Sequence, residues 1–124
     1  MSDEIVTLCP KYEKAIEILG KKWTGKIVRV LCSGPSSFSK IARSVSDLSD
    51  RVLSERLKDL EAHGIVERRV TPSMPVKIEY SLTVKGRDLQ EVLDALQCWA
   101  DRWEGCGEAT SSDKQQAEEA LLAS

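Results

Sequence analysis

Apolar residues near the start of the chain recur every three or four positions, the spacing typical of amphipathic α-helices. This pattern predicts a first helix over residues 10–19, with Pro10 in its first turn. A second helix opens at Trp23 or Thr24 and presents Ile27, Val30 and Leu31 on one face. It stops at 33–35, where glycine suits a left-handed cap and proline cannot continue a helix. The N-terminal region is therefore expected to be α-helical.

Two further helices are predicted between residues 38 and 64. A short one covers about 39–45, and Ser49 is a suitable N-cap for a fourth helix of about 14 residues that ends at Gly64. The inward-facing residues of these two helices are Phe38, Ile41, Ala42, Val45, Leu53, Leu57 and Leu60. Two helices separated by a turn of this length are typical of a helix-turn-helix.

The apolar period changes from 3.6 to 2 after Gly64, which predicts strands over 65–70 and 76–82. The intervening residues 71–75 contain two prolines and favour a stiff loop over a two-residue turn. Thr83 is then expected to cap one long helix that runs to about Glu104, with a heptad-like seam. The predicted fold class is mainly α with a small β-hairpin wing (α+β), a winged helix-turn-helix.

Composition adds an asymmetry of charge. The chain has 124 residues, which suits one domain, and we expect that domain to span 1–106, followed by an acidic, flexible tail over 107–124. Residues 1–87 hold 16 Lys/Arg and 11 Asp/Glu, a net of +5, whereas 88–124 hold 2 and 9, a net of −7. A basic body keeps nucleic-acid binding possible although the whole chain carries −2. The acidic N-terminus and the lack of a long apolar stretch predict a cytoplasmic protein without a membrane partner.

One side of the fourth helix is polar. If its leucines face the core, the opposite side holds Arg51, Ser54, Glu55 and Lys58. Arg51 is a candidate to pair with guanine, Ser54 to contact base or phosphate, and Arg56 and Lys58 to contact phosphate. An ordinary solvated helix face is the alternative, and the adjacent turn and hairpin favour DNA.

Basic and hydroxyl side chains near the hairpin and the third helix extend this surface. Arg68 and Arg69 lie on opposite strand faces, and Arg69 either contacts DNA or pairs with Glu79. Ser37 either binds phosphate or caps the third helix. The full set of predicted DNA-binding residues is Ser37, Ser39, Lys40, Ser49, Arg51, Ser54, Arg56, Lys58, Arg68, Arg69 and Lys77.

The four cysteines show no C-x-x-C spacing and are expected to be free thiols. Cys9 directly precedes a helix start, where the helix dipole and nearby lysines lower a thiol pKa, although a structural role is the alternative. Cys32 is expected to pack, while Cys98 either packs or joins a disulfide. A zinc site built from cysteines and His63 lacks ligand spacing, and His63 is expected to interact with a helix C-terminus. We predict no metal, no cofactor and no enzymatic activity, since a phosphate loop and a nucleophile pair are missing.

Several ordered motifs match a known family. They are Cys9-Pro10, Leu19-Gly20-Lys21-Lys22-Trp23-Thr24, Gly34-Pro35-Ser36-Ser37-Phe38, Leu53-Ser54-Glu55-Arg56-Leu57-Lys58-Asp59-Leu60-Glu61, Pro72-Ser73-Met74-Pro75 and Glu79-Tyr80-Ser81-Leu82-Thr83. Over residues 9–104 the chain resembles the HxlR-type winged-helix regulators, bacterial repressors and activators related to the MarR type. The resemblance implies a homodimer, formed by the first and last helices, that binds a palindromic DNA operator. The expected interface residues are Tyr12, Leu19, Trp23, Leu89, Val92, Leu96, Trp99 and Trp103.

Some members of that family sense quinones, diamide, aldehydes or hypochlorite through the cysteine of their Cys-Pro pair. Cys9 matches that position, and Cys106 lies near the place of a partner cysteine, so the resemblance implies redox sensing by Cys9 with Cys106 or Cys98. We therefore predict a repressor whose DNA binding is switched when a quinone or another electrophile modifies Cys9. The alternatives are a reversible ligand in an apolar dimer pocket near Trp23, Trp99 and Trp103, or a winged helix that docks a protein.

Overall fold

The computed structural model describes residues 4–105 and confirms the predicted order of helices and strands as far as the end of the hairpin. The elements are α1 (Pro10–Leu19), α2 (Thr24–Leu31), α3 (Phe38–Ser44), α4 (Asp50–Ala62), β1 (Val66–Thr71), β2 (Lys77–Leu82), α5 (Val84–Arg87) and α6 (Leu89–Trp103). The chain divides into two compact units, Met1–Arg87 and Asp88–Ser124. Cys106 and the predicted tail over 107–124 lie outside the described residues. No helix within 4–105 is long and apolar enough to cross a membrane.

Helix α2 supplies the centre of the core of the first unit. Its buried residues are Thr24, Ile27, Val28 and Leu31. They follow the spacing i, i+3, i+4 and i+7, which places them on one helix face. Val30, which the sequence pattern assigned to this face, is only half-buried. Val28 is buried instead, because position 28 fits the i, i+3, i+4, i+7 spacing of the buried face and position 30 does not.

The helix-turn-helix is held by serine caps at both of its helices. The Ser37 Oγ accepts a hydrogen bond from the Lys40 N–H at 3.1 Å, and the Ser49 Oγ accepts one from the Val52 N–H at 3.2 Å. Each bond satisfies a backbone donor that the first helical turn leaves without an intrahelical partner. Helix α4 buries the predicted leucine stripe Leu53, Leu57 and Leu60.

Strands β1 and β2 form an antiparallel hairpin with pairs running from Val66↔Leu82 to Thr71↔Lys77. The outer edge of β2 pairs with the segment before α3, because the Ser36 N–H donates to the Tyr80 carbonyl at 2.9 Å and the Tyr80 N–H donates to the Ser36 carbonyl at 2.8 Å. This bridge fixes the base of the hairpin against the helix-turn-helix. The predicted winged-helix architecture is confirmed.

The single long helix predicted after Thr83 is wrong in one respect, because the structure divides it into α5 and α6 at Asp88. Asp88 has φ −62° and ψ −22°, values near a 3₁₀ turn, and such a turn interrupts the regular i to i−4 hydrogen bonds. Thr83 does act as the predicted cap, since its Oγ1 accepts a hydrogen bond from the Gly86 N–H at 3.1 Å.

Candidate nucleic-acid interface and cysteine site

The outer side of α4 is open to solvent. The Arg51 side chain is 89% exposed, and its Nε lies 3.5 Å from Oε1 of Glu55 one turn later. Lys58 is exposed on the same side, and Ser54 is half-buried at its edge. The structure therefore brings together the four polar residues that the sequence placed opposite the leucine stripe. An exposed polar N-terminal half is what a helix needs to approach base edges in a major groove.

Arg56 was predicted to contact phosphate, but its side chain lies against the α1–α2 turn. Its side chain is only 17% exposed, and its Nε donates to the Lys22 carbonyl at 2.9 Å. Its guanidinium also lies 3.7 Å from the Asp59 carboxylate, which the Lys21 ammonium approaches at 2.8 Å. The hydrogen bond from Lys21 is the main reason that the pKa of Asp59 lies below its ordinary value. Arg56 thus holds α4 to the α1–α2 turn, and we assign it a structural role.

The cations of the hairpin are partly neutralised by neighbours on their own strands. Arg69 lies opposite Glu79 in the register, yet its guanidinium pairs with Glu67 at 2.8 Å. Lys77 lies 3.5 Å from Glu79. Of the two alternatives given for Arg69, the ion pair with Glu79 is therefore wrong, because each of the two side chains pairs with a residue of opposite charge two positions away on its own strand. Arg68 is exposed on the opposite face, as the strand alternation predicted.

Helix α3 adds exposed donors beside α4. Ser39 and Lys40 are exposed, whereas Ser37 is half-buried and occupied as the cap, which confirms the alternative given for it. Arg43 is also exposed on α3, and its Nε donates to the Ser39 carbonyl at 3.3 Å. Sequence reasoning missed Arg43, although its position three residues after Lys40 places both cations on one helix face.

Cys9 occupies the N-cap position of α1 and is exposed. The backbone N–H groups of Tyr12 and Lys11 hold the pKa of its thiol below the ordinary cysteine value. The helix start thus has the predicted effect, although the backbone amides and not the lysine ammonium groups produce it. Cys32 is half-buried at the end of α2, and Cys98 is exposed on α6.

Both helices of the expected dimer interface present apolar side chains to solvent. No residue of α1 is buried, and Tyr12 and Ile16 are each more than half exposed. In the second unit, most of the α6 seam is open, with Val92, Leu96 and Trp99 more than half exposed. The remaining expected interface residues are less exposed: Trp103 is 37% exposed, and Leu19, Trp23 and Leu89 are half-buried. The Trp23 ring is contacted by the ammonium groups of Lys22 and Lys26, at 5.0 and 4.9 Å from its centroid.

A helix-turn-helix with an exposed polar second helix, followed directly by a β-hairpin, defines a winged helix-turn-helix protein. Residues 18–107 match the family described as HxlR-like helix-turn-helix. The chain belongs to the HxlR family, which the sequence motifs had indicated.

The curated relatives of this chain are transcriptional regulators. The HTH-type transcriptional regulator YodB of Bacillus subtilis (strain 168) is 48% identical over 97 residues, which are 78% of this chain and 87% of YodB. The reduced form of YodB is a structural match with a TM-score of 0.72 and 45% identity, covering 84% of this chain and 100% of that one.

Two modified forms of YodB match as well. The diamide-treated form has a TM-score of 0.67 and 47% identity, covering 79% of this chain and 97% of that one. The quinone-bound form has a TM-score of 0.68 and 44% identity, covering 77% and 100%. The redox regulator HypR in its oxidized form matches with a TM-score of 0.72 and 33% identity, covering 78% and 99%.

Proposed function

We propose that this chain is a homodimeric, sequence-specific DNA-binding repressor that recognises a palindromic operator, and that oxidation or alkylation of Cys9 switches its DNA binding. The observation that carries the DNA-binding part is the exposed polar face of α4. That helix is capped by Ser49 and anchored through Arg56, so its outer side chains are presented on a fixed support. Membership of a helix-turn-helix regulator family supports this proposal.

In the proposed complex, the N-terminal half of α4 enters the major groove. Arg51 is the base-reading residue, since a guanidinium donates two parallel hydrogen bonds to guanine O6 and N7. Lys58, together with Lys40 and Arg43 of α3, contacts the phosphates on either side, and Arg68 does so from the hairpin. These four cations fix the orientation of the helix, while Arg51 and Ser54 supply specificity.

The proposed dimer explains the exposed apolar side chains of α1 and α6. Side chains of the size of Tyr12 and Trp99 are rarely left open together in a monomer, and a second copy would remove them from water. Two-fold symmetry then presents two copies of α4, and operators of this kind place half-sites about 34 Å apart. The palindrome in the DNA follows from that symmetry.

Replacing Arg51 by alanine tests the recognition helix. We expect the affinity for the operator to fall by about 1–3 kcal/mol, because the base pair loses its bidentate partner. Binding to unrelated DNA should change little. The measurement is fluorescence anisotropy at fixed salt, with an operator selected from a random-sequence duplex library.

The matched control is Lys58→Ala on the same helix face. Loss of a phosphate contact weakens binding to both DNAs alike and lowers the salt dependence. If Arg51→Ala binds the selected operator like the wild type, Arg51 is not the base-reading residue, and if Lys58→Ala also binds both DNAs like the wild type, the DNA-binding proposal fails.

The proposed switch depends on the thiolate of Cys9. A thiolate adds to a ring carbon of a quinone, and a proton from water completes the resulting hydroquinone thioether. With diamide, it adds to the N=N bond, and a second thiol then displaces the reduced hydrazine and leaves a disulfide. Exposure and the amides at the start of α1 favour the thiolate, and the likeness to quinone-bound and diamide-treated YodB supports the same chemistry here.

The pH dependence of Cys9 alkylation tests that environment. Because folding lowers the pKa of the thiol, the thiolate fraction at neutral pH is larger in the folded protein than in the unfolded chain. We expect the rate of iodoacetamide modification of Cys9, followed by mass spectrometry, to rise with pH around a lower midpoint than in concentrated urea. Equal midpoints in both conditions would show that the start of α1 does not activate Cys9.

A further inference from the structure

The tip of the wing is apolar and projects into solvent. Strand β1 ends at Thr71 and β2 begins at Lys77, and the loop between them holds Pro72, Met74 and Pro75. Met74 is fully exposed, and Val70 and Val76 beside it are about half exposed. Met74, Val70 and Val76 together form a small apolar surface at the tip that is largely open to solvent.

Charge is a minor feature of this wing. Arg69 is paired with Glu67, and Lys77 with Glu79, so each basic side chain of that strand face has an acidic neighbour. On the other face, Arg68 forms no ion pair with any residue in 4–105. The hairpin therefore offers one unneutralised cation on its stem and an apolar side chain at its end.

The tip is also held in place. Two prolines restrict the backbone of the loop, and the Ser73 Oγ donates a hydrogen bond to the Pro75 carbonyl at 2.6 Å. The stem is paired up to Thr71↔Lys77, and the bridge between Ser36 and Tyr80 fixes its base. The backbone that carries Met74 is thus restricted before it meets a partner, which reduces the entropy that ordering the loop would cost.

We propose that Met74 is an apolar wedge that enters the minor groove next to the major groove occupied by α4 and partly unstacks a base step there. This inference rests on the proposed DNA binding. Apolar side chains that insert between base pairs in this way favour steps that deform easily, such as TA. The wing then contributes sequence preference through DNA deformability at positions that α4 does not touch.

The surroundings of the tip favour DNA over a protein as the occupant. The wing follows α4 directly and packs against it within the same unit, so a duplex that receives α4 lies beside the hairpin. That part of the chain, residues 1–87, carries a net charge of +5. Arg68 on the stem is suited to hold a phosphate of the groove that Met74 enters.

The test compares Met74→Ala with the wild type on two versions of the selected operator. In one version, the base-pair step next to the base pairs covered by α4 is TA. In the other version, that step lies in a stiff A-tract. We expect the wild type to prefer the TA version by about fivefold and Met74→Ala to lose that preference. Because no charge is removed, the slope of log affinity against log salt should stay as in the wild type. Met74→Leu, which retains an apolar side chain of similar volume, should keep most of the preference.

Arg68→Ala is the matched control from the stem. It should weaken binding to both versions, reduce the salt slope by about one and leave the TA preference intact. If Met74→Ala binds both versions like the wild type while Arg51→Ala loses the operator, DNA binding stands and the wedge is disproved, which leaves a protein contact for the tip. If Arg51→Ala and Lys58→Ala also bind like the wild type, the proposed function itself is disproved.

Discussion

Replacing Gly86 by alanine is expected to lower the free energy of unfolding by about 3 kcal/mol and the melting temperature by about 10 °C. A Cβ at this position would meet the backbone carbonyl of Ile65, and the oxygen cannot move aside like a flexible side chain. The same carbonyl accepts hydrogen bonds from the Thr83 N–H at 3.0 Å and from the Thr83 Oγ1 at 3.2 Å. The added methyl group therefore forces α5 away from the bonds that fix its first turn. Thermal unfolding followed by circular dichroism measures the change.

Gly25→Ala is the matched control, because a Cβ at Gly25 has no atom within 4 Å although that glycine also lies in a helix. Alanine is the better helix former, so the melting temperature should stay the same or rise slightly. If Gly86→Ala melts within about 2 °C of the wild type, a difference well below the scale expected for a steric clash, the close approach of α5 to Ile65 is not a constraint on the fold.

The helices and strands could be predicted because their signals are local. Ser49 and the leucines of α4 lie within a few residues of one another, and their spacing alone specifies a capped amphipathic helix. The hairpin follows from a period of two, and its strands begin and end within a residue of the predicted positions. The break at Asp88 gave no such signal, because neither glycine nor proline stands at Asp88, and Gly86 two residues earlier lies inside α5.

Contacts between distant segments could not be predicted in this way. Arg56 has the sequence context of a surface cation, and only the fold brings it to the carbonyl of Lys22, which is 34 residues away. The pairing of Ser36 with Tyr80 and the approach of Gly86 to Ile65 depend likewise on tertiary structure. The sequence alone does not show whether a glycine in a short helix is needed because a side chain would clash there, or stands there by chance.

In the candidate DNA interface too, features set by local sequence could be predicted and specific side-chain contacts could not. Helical periodicity identified the exposed side of α4 correctly, since burial of three leucines determines where the remaining side chains point. The ion pairs of the wing were harder to predict, because Arg69 had acidic residues within reach both across the hairpin and along its own strand. Alternation determines the face of a strand residue, but it does not decide which neighbour a long side chain chooses.

Replacing Cys9 by serine is expected to abolish the response of DNA binding to electrophiles. Treatment of the wild type with diamide or a quinone should weaken operator binding by about 5- to 150-fold, the usual range of coupling between two sites, whereas Cys9→Ser should bind as before. The structure offers a route for this coupling, because α1 runs from Cys9 to the turn that contains Lys21 and Lys22. Those two residues bind Asp59 and Arg56 of α4, so a change at the start of α1 reaches the recognition helix through one helix and one set of polar contacts. Gel-shift titrations before and after treatment measure the effect.

Cys98→Ser separates disulfide formation from alkylation, since Cys98 is also exposed but lies on α6. If Cys98 serves as the disulfide partner, Cys98→Ser should lose the diamide response and keep the quinone response, because alkylation needs no second thiol. Serine at position 9 remains a good N-cap, so loss of the response in Cys9→Ser does not come from loss of α1.

A thiol reductant should restore DNA binding after diamide but not after the quinone, because a disulfide is reduced and a thioether is not. Equal release of DNA by the wild type and Cys9→Ser would contradict the switch, and reversible quenching of tryptophan fluorescence would then favour a ligand bound without a covalent bond.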